Sequence, residues 1–139
     1  MRPSLAGLLL MAAGILSTPA VALESAADPI DAALASCLAT PEAGETVGKA
    51  ACFTSARGAW EKEMTSAYFA LAATLDARSR GILRGAQKQR EAYVAAERRF
   101  QATSRTRAQG ANLAASLAAQ DADLFKARAL TLRSYRSDG

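Results

Sequence analysis

After residue 50 the apolar and aromatic positions recur in steps of three and four. Phe53, Ala56, Trp60, Met64, Ala67, Tyr68, Leu71 and Leu75 make one face of an α-helix. A polar break from Asp76 to Ser79 separates this run from a second stripe, formed by Ile82, Leu83, Ala86, Gln89, Tyr93, Ala96 and Phe100. That stripe is expected to face the core, with most of the arginines off it. Thr103-Ser104-Arg105-Thr106 is a weak helix former and Gly110 a break, so the second helix is expected to end between them. A last helix from about Asn112 would use Leu113, Leu117, Leu124, Ala127 and Leu132, with Arg133 to Gly139 fraying.

Upstream, Asp28-Pro29 with Asp31 reads as N-cap, N1 proline and first-turn acid. The short helix they open passes through Ile30, Ala33, Leu34 and Cys37, and Thr40-Pro41 stops it. Gly44 and Gly48 sit in the connection, and Thr46 is placed to cap a helix carrying Cys52 in its second turn. Short connections between long amphipathic helices favour antiparallel neighbours. The expected fold class is all-α, an antiparallel three-helix bundle with a short disulfide-stapled N-terminal helix.

The first 22 residues do not fit this scheme. Met1-Arg2-Pro3 gives a positive start, Leu5 to Leu16 an apolar run, and Pro19-Ala20-Val21-Ala22 a small-residue ending of the A-x-A type. The alternative is a membrane anchor, but the run falls short of the roughly 20 apolar residues that span a bilayer. Residues 1–22 are therefore read as a signal peptide and 23–139 as a single exported domain, periplasmic or secreted. Its two cysteines, Cys37 and Cys52, fit an oxidising compartment and are expected to bond to each other, closing a loop of about 15 residues. A redox pair is the alternative, and it lacks the C-x-x-C spacing.

Charge is unevenly spread. Residues 23–77 carry a formal −5, whereas 78–107 carry +7, from nine basic side chains against Glu91 and Glu97. Such a block steers anionic partners, or is a solvated face beside an acidic neighbour. A nucleic acid is not expected, because the chain is exported and Tyr93 and Phe100 fall on the presumed core stripe. An anionic envelope surface, met by Arg84, Arg90 and Arg98, is the more credible anion.

The sequence contains no histidine, which removes Ser/His/Asp and Cys/His triads and every His-ligated metal site. Glu61 and Glu63 are two apart on a helix and diverge, as do Asp121 and Asp123. No Gly-rich phosphate loop or nucleophile elbow is present. A non-enzymatic binding protein without a cofactor is the expectation.

From Cys37 to Arg133 the chain resembles the LprI-type lysozyme-inhibitor domain of exported bacterial proteins. The likeness lies in the cysteine pair, in Glu61-x-x-Met64-Thr65-x-x-Tyr68 with Leu71 and Leu75, and in Leu83-Arg84-Gly85-Ala86-Gln87-Lys88. Gly110-Ala111-Asn112 and the helix with Arg128 and Leu132 complete it. The chain departs from the family at Thr65, Arg90 and Val94, where relatives carry asparagine, tryptophan and arginine. The family's second cysteine pair falls near Arg98 and Gln120, and both members are absent, which leaves no stray thiol. The resemblance implies an exported domain that binds and inhibits lysozyme. Lysozymes are commonly basic, so Glu42, Glu45, Glu61 and Glu63 are the candidate steering charges.

Overall fold

A computed structural model describes residues 27–104 and 110–137. The signal-peptide reading of 1–22, and the stretch 105–109 where the second long helix was expected to break, lie outside these residues. The described residues are helical throughout, with no strand among them: α1 (Pro29–Leu38), a 3-10 turn (Pro41–Gly44), α2 (Thr46–Thr74), α3 (Ala77–Ser104) and α4 (Gly110–Ser137).

Each start and stop has a local cause. Asp28 caps α1 by accepting the Ile30 amide at 2.9 Å, with Pro29 preset for the first turn. Glu45, and not Thr46, is the residue preceding α2, and its side chain makes no capping bond. Asp76 caps α3 through the Ser79 amide at 2.9 Å. From the next turn Arg80 reaches back to the carbonyls of Ala72 and Leu75, satisfying acceptors left open at the end of α2. Only Leu75 and Asp76 separate α2 from α3, so the chain must double back at once.

The most extensive interface joins α2 to α4. Small side chains make it possible: Ala56, Ala67 and Ala72 on α2 and Ala115, Ala122 and Ala129 on α4 are all buried. Trp60 and Leu132 fill the space that these alanines leave, and Met64, Leu71, Leu83 and Phe125 complete the core. The two helices run in the same direction, since Arg57 meets Asp121 and Glu63 meets Arg133. α3 runs the other way and stands farther off, reaching its neighbours through long side chains: Gln87 to Arg128 and Arg98 to Asp121. Among the described residues this core lies between Ile30 and Leu132.

The expected α2 stripe is the buried one, with Trp60 only 1% exposed. Of the expected α3 stripe only Leu83 is buried. Leu83, Gln87, Val94 and Gln101 face inward, whereas Ile82, Tyr93 and Phe100 are more than half exposed and Ala86, Gln89 and Ala96 are exposed with them. The true inner face holds two glutamines, which a hydrophobic pattern passes over. On α4 the buried positions are mostly alanines and Phe125, while Ala127 is exposed and Leu113, Leu117 and Leu124 are half-buried. α4 begins at Gly110 and is helical to Ser137, with Arg133 held by two carboxylates; Asp138 and Gly139 of the expected frayed end lie outside the described residues.

α1 is fastened to this frame three times. Cys37 and Cys52 are disulfide-bonded, with Cα atoms 5.7 Å apart, tying the end of α1 to the second turn of α2. Asp28 accepts Arg133 at 2.6 Å and Asp31 accepts Lys126 at 2.7 Å, tying its start to α4. Lys126 and Arg133 also stand 5.7 Å from the ring centroid of Trp60. The disulfide closes a 15-residue separation, for which loop entropy gives about 3 kcal/mol.

Two predictions follow from these contacts. At Gly48 the backbone of α2 passes so close to the 3-10 turn that a Cβ would sit 1.9 Å from the Glu42 carbonyl oxygen, while Gly58 and Gly85 have nothing within 4 Å. Gly48→Ala should destabilise the protein by about 1–3 kcal/mol, whereas Gly58→Ala and Gly85→Ala should each stabilise it by about 0.5–1 kcal/mol; urea titration distinguishes them.

The second concerns acid. The Arg133 guanidinium, and then the Ile30 amide, hold the Asp28 carboxyl below its ordinary value. A lowered folded value adds stability that is complete above the unfolded carboxylate value, about 3.9, and is lost as pH falls through the folded one. Asp28→Asn keeps a capping side chain and removes the charge. Urea midpoints should show the variant less stable at neutral pH and the difference closing below the folded value of Asp28.

Candidate functional site

The four acids proposed as steering charges do not form one patch. Glu42 and Glu45 are exposed at the 3-10 turn and enter no ion pair among the described residues. Glu61 pairs along its own helix with Arg57 at 3.0 Å, and Glu63 holds Arg133 at 2.7 Å. A paired carboxylate has part of its field cancelled at source, so of these four acids Glu42 and Glu45 have the freer charge.

The three arginines also separate. Arg84 is exposed, has no ion pair among the described residues, and stands beside a groove of about 460 Å³ between α2 and α3 that Tyr68, Phe69 and Lys88 also line. Tyr68 and Phe69 meet edge to face, with centroids 5.3 Å apart, and Phe69 is exposed. Arg98 lies across the α3–α4 gap, bonded to both oxygens of Asp121 at 2.9 and 2.8 Å. Its guanidinium and that of Arg57 stand over the Phe125 ring from 5.5 and 5.0 Å. Arg90 turns inward and donates to the Leu124 carbonyl.

Inside the gap a polar chain links all three long helices. The Gln87 amide donates to Met64 Sδ at 3.8 Å, and its oxygen accepts Arg128 Nε at 3.2 Å. Arg128 Nη2 is buried without a hydrogen-bond partner among the described residues. Arg128 and Arg90 line the same open groove of about 510 Å³ between α3 and α4, with Tyr93, Ala127 and Thr131. Neither has a carboxylate within ion-pair distance among the described residues. Burial, and then the positive charge of Arg128, hold the Arg90 guanidinium below its usual value.

Sequence reasoning missed Arg128 as a surface-groove residue and placed Tyr93 and Phe100 in the core. The arginines at 90 and 128 are far apart in the chain, and only the antiparallel pairing of α3 with α4 brings them together. With Tyr93 and Phe100 exposed, their burial is no reason against a nucleic-acid partner; the expected export is the reason that stands. Among the described residues no group of three or more His, Cys, Asp or Glu side chains is placed to hold a metal ion. No helix among them is long and apolar enough to cross a membrane.

Compared with protein-family models, curated proteins and solved structures, the chain matches none.

Proposed function

We propose that residues 23–139 form an exported, non-enzymatic binding protein of the LprI-like type whose partner is lysozyme. In this reading α2, α3 and α4 are an antiparallel three-helix bundle, and α1 is its disulfide-stapled N-terminal helix. The observation that carries it concerns the family's missing second cysteine pair, which falls near positions 98 and 120. Arg98, at the first of those positions, reaches across the gap to Asp121, next to the second, and holds it with two of its nitrogens. An ion pair replacing a disulfide at one place keeps the same two helices tied.

The separate motif fragments also meet. Met64 from the first, Gln87 from the second and Arg128 from the last form one hydrogen-bonded chain through the interior. Leu83 and Leu132, from the second and last fragments, share the core with Met64. Residues that carry a family likeness and also touch each other support a shared fold more strongly than the same residues scattered.

Attraction of a basic lysozyme falls to Glu42 and Glu45, whose charge is free, and not to Glu63, which is tied to Arg133. Calorimetric titration of the oxidised 23–139 chain into lysozyme, with a peptidoglycan-lysis assay on the same sample, is the test. Micromolar or tighter binding with slowed lysis is expected, weakening as salt rises. Glu42→Lys with Glu45→Lys should weaken it about tenfold by removing the steering charge. No heat and unchanged lysis would overturn the reading.

A further inference from the structure

α3 presents three different faces. Leu83, Gln87, Val94 and Gln101 point inward. Arg84 and Lys88 point toward the α2 side. On the α4 side lies a continuous exposed strip of Ile82, Ala86, Gln89, Tyr93, Ala96 and Phe100. Its three large members are 66%, 56% and 55% exposed. From Ile82 to Phe100 the strip runs about 27 Å along one helix at 1.5 Å per residue.

Cations border this strip. Arg78 stands one turn before Ile82 on the same face, and Arg99 precedes Phe100; both are exposed and have no ion pair among the described residues. Arg90 and Arg128 line the groove on its α4 edge without a carboxylate partner, beside Tyr93. Arg57, Arg98, Lys126 and Arg133, by contrast, are held in ion pairs. A long apolar strip between unpaired cations is the pattern of a helix lying in the plane of a membrane surface.

We propose that the outer face of α3 docks on an anionic lipid surface. Ile82, Tyr93 and Phe100 enter the boundary between headgroups and acyl chains, while the exposed Arg78 and Arg99 take lipid phosphates. A second copy of the chain is disfavoured as occupant, because opposing these faces would bring their arginines together. The proposal is independent of lysozyme binding.

The test is co-sedimentation of the oxidised 23–139 chain with vesicles. One set is phosphatidylglycerol mixed with phosphatidylcholine, and the other is phosphatidylcholine alone. Sedimentation with the anionic set only, weakened by salt and unaffected by millimolar inorganic phosphate, is expected. The triple variant Ile82→Ser, Tyr93→Ser, Phe100→Ser and the double variant Arg78→Gln, Arg99→Gln change exposed side chains, and circular dichroism checks that both fold. Each should lose at least tenfold in partitioning.

Several outcomes would overturn the proposal. They are no sedimentation with either vesicle set, and full retention by either variant. Displacement by inorganic phosphate would assign the arginines to a small anion. A dimer in light scattering that the serine variant converts to monomer would assign the strip to a second copy.

Discussion

The close approach of α2 and α4 is the contact on which the rest of the structure depends. Alanines at 56, 67 and 72 on one side and at 115, 122 and 129 on the other remove the bulk that would hold two helices apart. Trp60 and Leu132 then supply the apolar volume, and both are essentially removed from solvent. Burying a tryptophan in a tightly packed site is worth a few kcal/mol, because truncating a core aromatic typically costs about 3–5 kcal/mol. The cations around Trp60 extend this: Lys126 and Arg133 lie near its ring and reach Asp31 and Asp28, so the same residues that flank the core also seat α1.

That seam leaves a particular place for α3. The two-residue connection forces it back along α2, but the seam is already filled by α2 and α4 side chains. α3 therefore rests outside it, bridging the gap with Gln87, Arg90 and Arg98 in place of close backbone contact. A helix seated through one face keeps two flanks in solvent. In α3 these flanks differ in kind, one with Arg84 and Lys88 and the other with Ile82, Tyr93 and Phe100. Amphipathicity here has two apolar sectors, only one of which the bundle uses.

This division explains what could and could not be read from the residues alone. The α2 face was legible because its buried positions include Trp60, Met64 and Leu71, which announce themselves by size and spacing. The capped start of α1 at Asp28-Pro29 and the Cys37–Cys52 bond were legible for equally local reasons. On α3 the strongest hydrophobic residues lie on the exposed sector, and the inner one contains Gln87 and Gln101, so periodicity selected the wrong stripe by about one residue. On α4 the seam is written largely in alanine, a weak signal in a chain rich in it. The sets Glu42/Glu45 and Arg90/Arg128 needed tertiary structure, because the freedom of each charge depends on which neighbours it meets.

The rotation of α3 about its own axis decides which of its sectors meets solvent. Solvent paramagnetic relaxation, read by NMR on the Ile82, Leu83, Val94 and Leu132 methyls and the Tyr93 and Phe100 rings, measures it directly. Strong relaxation at Ile82, Tyr93 and Phe100, with Leu83 and Val94 protected nearly as well as Leu132, is the predicted result. Protection of Ile82, Tyr93 and Phe100 with Leu83 and Val94 relaxed would contradict it, and would return the apolar strip to the core.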